Sequence, residues 1–165
     1  MEIKESYILI AVVLLVFAGI FVFITNFKTT ETTVDGVKIF HQGEIKETLR
    51  FVLEKKPLLI QMELVNASDK RNSALAVIAS ELTSNLRFYG KESQAYGLVD
   101  GIPSQNCNAN TSNCSGAAII IRIGECNCLR ITKDTAILEG SIEFFLDQKK
   151  TTVIKGIFGL AASGQ

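Results

Sequence analysis

The sequence predicts an α/β domain with a mixed sheet, carried behind one N-terminal transmembrane helix. An uncharged apolar run near the start calls for the helix. Alternating strand-like and helix-like periods through the middle, then short β-rich runs before a last helical stretch, call for the α/β domain.

The expected division is a short tail over residues 1–6, a membrane helix over 7–27, a linker over 28–35 and an extracytoplasmic domain over 36–165. Tyr7 to Phe27 reads YILIAVVLLVFAGIFVFITNF without a charge. About 20 apolar residues span a hydrocarbon core. A cleaved signal peptide would have a shorter apolar region and a small-x-small site after it, and none lies near Thr25 to Thr30. The run therefore reads as a signal anchor in contact with membrane lipid. Lys4 on one side and Lys28 and Lys38 on the other nearly balance, so charge does not orient it. Thr29 to Thr33 reads as a stalk or as the start of an edge strand.

Gly36 to Phe40 follows an Asp-Gly pair and suits a short strand or hairpin arm. Glu44 to Lys56 places Ile45, Leu49, Val52 and Leu53 on one helical face, and Pro57 ends it. Leu58 to Val65 is apolar enough for a central strand. A helix follows from Asp69 to Tyr89, burying Leu75, Ile78, Leu82 and Tyr89, with Gly90 as its C-terminal stop. Ser93 to Val99 makes the next strand. These lengths predict a βαβαβ core with parallel pairing.

Ala117 to Ile123, Cys128 to Thr132 and Thr135 to Glu139 then read as a short β-meander added at the sheet edge. Ser141 to Leu160 returns to helix, broken at Thr151-Thr152 or Gly156, with Ile142, Phe145, Leu146, Val153 and Ile157 inward.

Lys plus Arg and Asp plus Glu both number 17, and no basic stripe is present, which argues against nucleic acid. The cysteines are the most informative feature after the anchor. Cys107, Cys114, Cys126 and Cys128 all fall within 22 residues, spaced C-x6-C-x11-C-x-C. Disulfides are the preferred reading, with pairs across the Asn-rich loop easier than a Cys126–Cys128 bond, because i and i+2 of a strand share a face. The alternative is zinc or an iron–sulfur cluster on the four thiolates, although neither gap matches the usual C-x2–4-C knuckle. Otherwise no metal or cofactor is expected.

Asn66, Asn110 and Asn113 head N-x-S/T sequons that, with the cysteines, favour a domain outside the cytoplasm. Asn66, Ser68 and Asp69 also form a turn at a helix start, either a cap or a ligand crevice. His41 reads as a solvent-exposed turn residue, and Glu139 with Glu143 as a solvated helix start. Gly156 to Gly159 offers a packed helix end or a partner surface around Phe158 and Leu160.

No nucleophile–base pair is legible, so no catalytic residue is assigned. The expectation is a non-catalytic accessory subunit that binds a protein partner in a membrane or cell-envelope complex. The alternatives are a thiol-redox or metal protein using the four cysteines, and a small-molecule sensor using the Asn66 turn.

Overall fold

A computed structural model describes residues 13–16, 29–66, 69–99, 102–103 and 117–164. Eight strands and five helices make up these segments. In chain order they are α1 (13–16), β1 (Thr30–Val34), β2 (Val37–His41), α2 (Ile45–Leu53), β3 (Leu58–Leu64), α3 (Arg71–Phe88), β4 (Ser93–Val99), β5 (Ile102–Pro103), β6 (Ile119–Ile123), β7 (Cys128–Ile131), β8 (Ala136–Gly140), α4 (Ile142–Leu146) and α5 (Gln148–Ala162).

Local chemistry sets several boundaries. Asp35 and Gly36 both take positive φ, 45° and 79°, the pairing that a two-residue hairpin turn requires, and β1 and β2 pair antiparallel across it. The expected linker thus contributes an edge strand. Helix α3 ends in a Schellman motif: Gly90 sits at φ 74°, its N–H donates to Arg87 O, and Lys91 N–H donates to Leu86 O.

The sheet order is β1-β2-β7-β8-β6-β3-β4-β5. Strands β8, β6, β3 and β4 run parallel, and β7 is antiparallel to β8. The α/β class and the mixed sheet hold, with two corrections to the expected topology. Among the described residues only β3-α3-β4 is a parallel βαβ unit; β2 lies four places from β3 and runs against it. The three β-rich runs are not an edge meander either. Strand β8 inserts between β6 and β7, in the middle of the sheet. A central place suits Ile119 to Ile121, which are apolar toward both faces.

Helices α2 to α5 pack on one another and on one sheet face, forming a two-layer domain. Ile39, Ile60, Ile119, Ile121, Leu129 and Leu138 rise from that face into the core and are fully buried. The last helical stretch breaks at Asp147, not at Thr151-Thr152 or Gly156, because the Asp147 carboxylate accepts from Lys149 N (2.9 Å) and Lys150 N (3.4 Å) and so caps α5. Phe145 is buried as expected and Ile142, Val153 and Ile157 pack partly buried against the core, but Phe144, Ile154 and Phe158 lead the buried face and Leu146 is 60% exposed. Tyr89, expected inside, is also on the surface.

Among the described residues no helix is long and apolar enough to cross a membrane. Of residues 7–27 only 13–16 are described, and they are helical. The other residues of that run lie outside the described ones. The expected transmembrane helix, signal anchor and single-pass cell-membrane location therefore find no support among the described residues, and the outward-facing placement that the cysteines and sequons favoured for a domain behind that anchor falls with them.

Candidate functional site

The residues that carry chemistry converge where the chain leaves β6. To reach β7, residues 124–127 must pass over the carboxyl end of β8, which lies between the two strands. Gly124 makes the first step, donating its N–H to Gly140 O at 3.0 Å. A Cβ at Gly124 would overlap the Glu139 side chain, so the passage needs glycine.

Glu139 clamps the crossing segment. One carboxylate oxygen accepts from Arg122 Nε (2.9 Å) and Nη2 (2.7 Å), and the other from Cys126 N–H at 3.4 Å. Hydrogen bonds from Arg122, with its charge, the Cys126 N–H and the Arg130 charge, hold the carboxyl below its ordinary range against a raising effect of burial. On the far side, Asn127 Oδ1 accepts from Ser141 N at 2.9 Å. The segment is thereby tied at two points to the β8–α4 junction.

Between these ties, Cys126 and Cys128 form a disulfide, with Cα atoms 5.2 Å apart. This corrects the expectation that loop-spanning pairs are easier. That expectation put both cysteines on a regular strand, where i and i+2 diverge little and do not meet. Here Cys126 precedes β7, and Asn127 takes φ 48°, turning the chain back so that the two sulfurs meet. Cys128 is fully buried and Cys126 half-buried.

One cation addresses the pair. The Arg130 guanidinium lies 3.6 Å from Cys126 Sγ and 5.2 Å from the centre of the Phe40 ring. Strand alternation puts Cys128 and Arg130 on the same face, the one away from the helices, and register extends a charged row across it. Lys38 sits opposite Cys128, Cys128 opposite Glu139, Glu139 opposite Arg122, and Arg122 opposite Glu63. The row is internally paired: Lys38 with Glu31 at 3.5 Å, Arg122 with Glu63 at 3.9 Å. It ends at the carboxyl termini of the parallel strands, where open α/β sheets commonly hold ligands.

Family models, curated proteins and solved structures yield no match to this chain.

The other expected residues are dispersed. Cys107, Cys114, Asn110, Asn113 and Ser68 lie outside the described residues. Among the described residues no group of three or more His, Cys, Asp or Glu is arranged for a metal, and both described cysteines are engaged in the disulfide. The Asn66 turn is closed on itself. Asn72 Nδ2 donates to Asn66 O while Asn72 Oδ1 accepts from Val65 N, and Asp69 accepts from Arg71 N (2.8 Å) and Nη2 (2.6 Å). Arg71 hydrogen bonds hold the Asp69 carboxyl down at about 2.

His41 is not an exposed turn residue. It ends β2, 8% exposed, with Nδ1 2.6 Å from Gly43 O and Nε2 3.0 Å from Thr32 Oγ1. Since the carbonyl can only accept, Nδ1 donates to it, while the threonine hydroxyl can serve Nε2 as donor or acceptor. Glu139, read as a solvated helix start, instead belongs to the clamp. Arg122, Arg130 and Glu63 were missed altogether. The i, i+2 spacing of Cys128 and Arg130 was the available signal for one of them.

Proposed function

We propose that the protein is a dithiol–disulfide exchange protein, with Cys126 as the reacting sulfur and Cys128 as the resolving one. The observation that carries this reading is the asymmetry of the pair: Cys126 half-buried beside a guanidinium, Cys128 fully buried. Thiol exchange needs an accessible sulfur and an environment favouring thiolate. A purely structural bond is a weaker explanation. Closing a loop of three residues removes about 1.6 kcal/mol of unfolded-chain entropy, roughly half the value for a 15-residue loop.

The exchange balances with a partner dithiol. A partner thiolate attacks Cys126 Sγ, the Cys126–Cys128 bond breaks, and Cys128 leaves as thiolate and takes a proton from water. The partner's second thiolate then attacks its own sulfur in the mixed disulfide, releasing Cys126. Two electrons pass to the protein and the partner leaves oxidised.

The competing readings have lost specific support. Phe158, half of the suggested partner surface, is fully buried, and Asp69 in the suggested ligand crevice is engaged by Arg71.

The test is a redox titration of the full chain against reduced and oxidised glutathione, with the 126–128 peptide followed by alkylation and mass. Reversible reduction with a midpoint above about −300 mV is expected, together with a glutathione adduct on Cys126 in Cys128→Ala. A folded protein whose disulfide persists in excess reduced glutathione would overturn the assignment.

A further inference from the structure

We infer that Arg130 sets the direction of this exchange: it holds Cys126 as thiolate after reduction and so makes the disulfide an oxidant of partner dithiols. The inference rests on the exchange reading above. Stabilising the reduced form of a dithiol raises its tendency to accept electrons, and a thiolate is the part of the reduced form that a neighbouring cation stabilises.

Geometry gives Arg130 this role over its neighbours. Its Nη2 is 3.6 Å from Cys126 Sγ, and the Phe40 ring under the guanidinium fixes it there by cation–π attraction. The surrounding charges largely cancel. On β8, Glu139 would oppose a thiolate, but Arg122 on β6 donates to it twice. On β3, Glu63 also leans on Arg122. On β2, Lys38 opposite Cys128 is paired with Glu31 of β1. Glu125, on the crossing segment itself, points to solvent. Among the described residues Arg130 enters no ion pair; its charge is felt by Glu139, and its Nη2 donates to the Cys126 sulfur. Helices α2 to α5 lie on the opposite side of the sheet; α4 begins at the junction to which Asn127 is tied, and its first-turn carboxylate Glu143 is hydrogen-bonded by its own N–H and by Ser141.

A full charge about 4 Å from a thiolate, acting at the dielectric of water because Arg130 is exposed to solvent, sets the scale of the titration shift at roughly one pH unit. Arg130 is exposed, so replacing it disturbs little packing. The experiment measures the rate of Cys126 alkylation by iodoacetamide against pH in the full chain carrying Cys128→Ala. Arg130 is compared with Arg130→Gln, Arg130→Lys and Phe40→Leu, and tandem mass spectrometry reads the site.

Arg130→Gln should move the midpoint up by about one pH unit, Arg130→Lys by a few tenths, and Phe40→Leu by an intermediate amount. With Cys128 restored, Arg130→Gln should weaken oxidation of a reference dithiol by up to about tenfold above both midpoints, or about 30 mV. An unmoved midpoint in Arg130→Gln, with the disulfide still titrating reversibly, overturns the role of Arg130 and leaves the exchange reading standing. A disulfide inert to glutathione in every variant overturns both.

Discussion

Asp69 and Glu139 are both carboxylates lowered by an arginine, yet they hold different things. Asp69 folds back on Arg71 and caps the start of α3 by accepting Arg71 N–H. Its carboxyl is lowered from 3.8 to about 2, so as pH falls the unfolded chain takes the proton first. The resulting stability is present above pH 3.8 and lost as pH drops through about 2. Asp69→Asn should melt below the parent at pH 7, and the two melting curves should merge near pH 2; a gap that persisted there would mean that packing, not charge, is responsible. Glu139 instead joins three parts of the fold, Arg122, the Cys126 N–H and, by exclusion, the glycine at 124. None of this was legible at residue level, because Glu139 and Arg122 are 17 residues apart and meet only through the β6–β8 pairing. The four cysteines were legible as a cluster. Their bonding was not, since the turn at Asn127 that brings Cys126 to Cys128 is a backbone choice with no strong signature in Glu-Cys-Asn-Cys.

At the scale of elements, what the sequence carried well was whatever one segment decides alone. Asp35-Gly36 specifies a hairpin turn, Gly90 a helix stop, and the apolar spacing of Ile45 to Leu53 a helix face with Leu49, Val52 and Leu53 buried. What it carried poorly was decided between segments: that β8 enters between β6 and β7, or that β2 pairs with β7 and not with β3. Alternation along each strand is the same whichever neighbour it takes. Two glycines test how tightly the elements then fit. A Cβ on Gly140, at the end of β8, would overlap the ring of Phe144, which is 1% exposed and held by the Ser141 cap of α4. Gly140→Ala should cost about 1–3 kcal/mol by overpacking. Gly156, in α5, has nothing within 4 Å of a built Cβ and faces solvent, so Gly156→Ala should stabilise by about 0.5–1 kcal/mol. Urea denaturation of both variants reads the pair; equal and opposite signs to these would show that the β8–α4 junction relaxes.

For the whole molecule, the two faces of the sheet divide the work. One face meets α2 to α5 and holds the core; the other carries the charged row and the disulfide, at the margin of the packed layer. The apolar run at 7–27 dominated the sequence reading because hydropathy over a window is a local signal, whereas the division between faces exists only once eight strands are ordered. It has a consequence for stability. If the disulfide serves exchange, the fold must survive its opening. The core that would have to hold includes fully buried Phe144, Phe158, Leu75 and Ile119, none of which is linked through either cysteine. Cys126→Ala/Cys128→Ala should therefore stay folded and lose about 2–3 kcal/mol, combining about 1.6 kcal/mol of chain entropy with the packing of a buried sulfur. Urea denaturation of the double variant against the parent measures the loss, and hydrogen exchange should localise new opening to residues 124–130 while β3, β6 and α3 stay protected. Global unfolding of the variant would instead make the bond a structural requirement, incompatible with repeated opening during exchange.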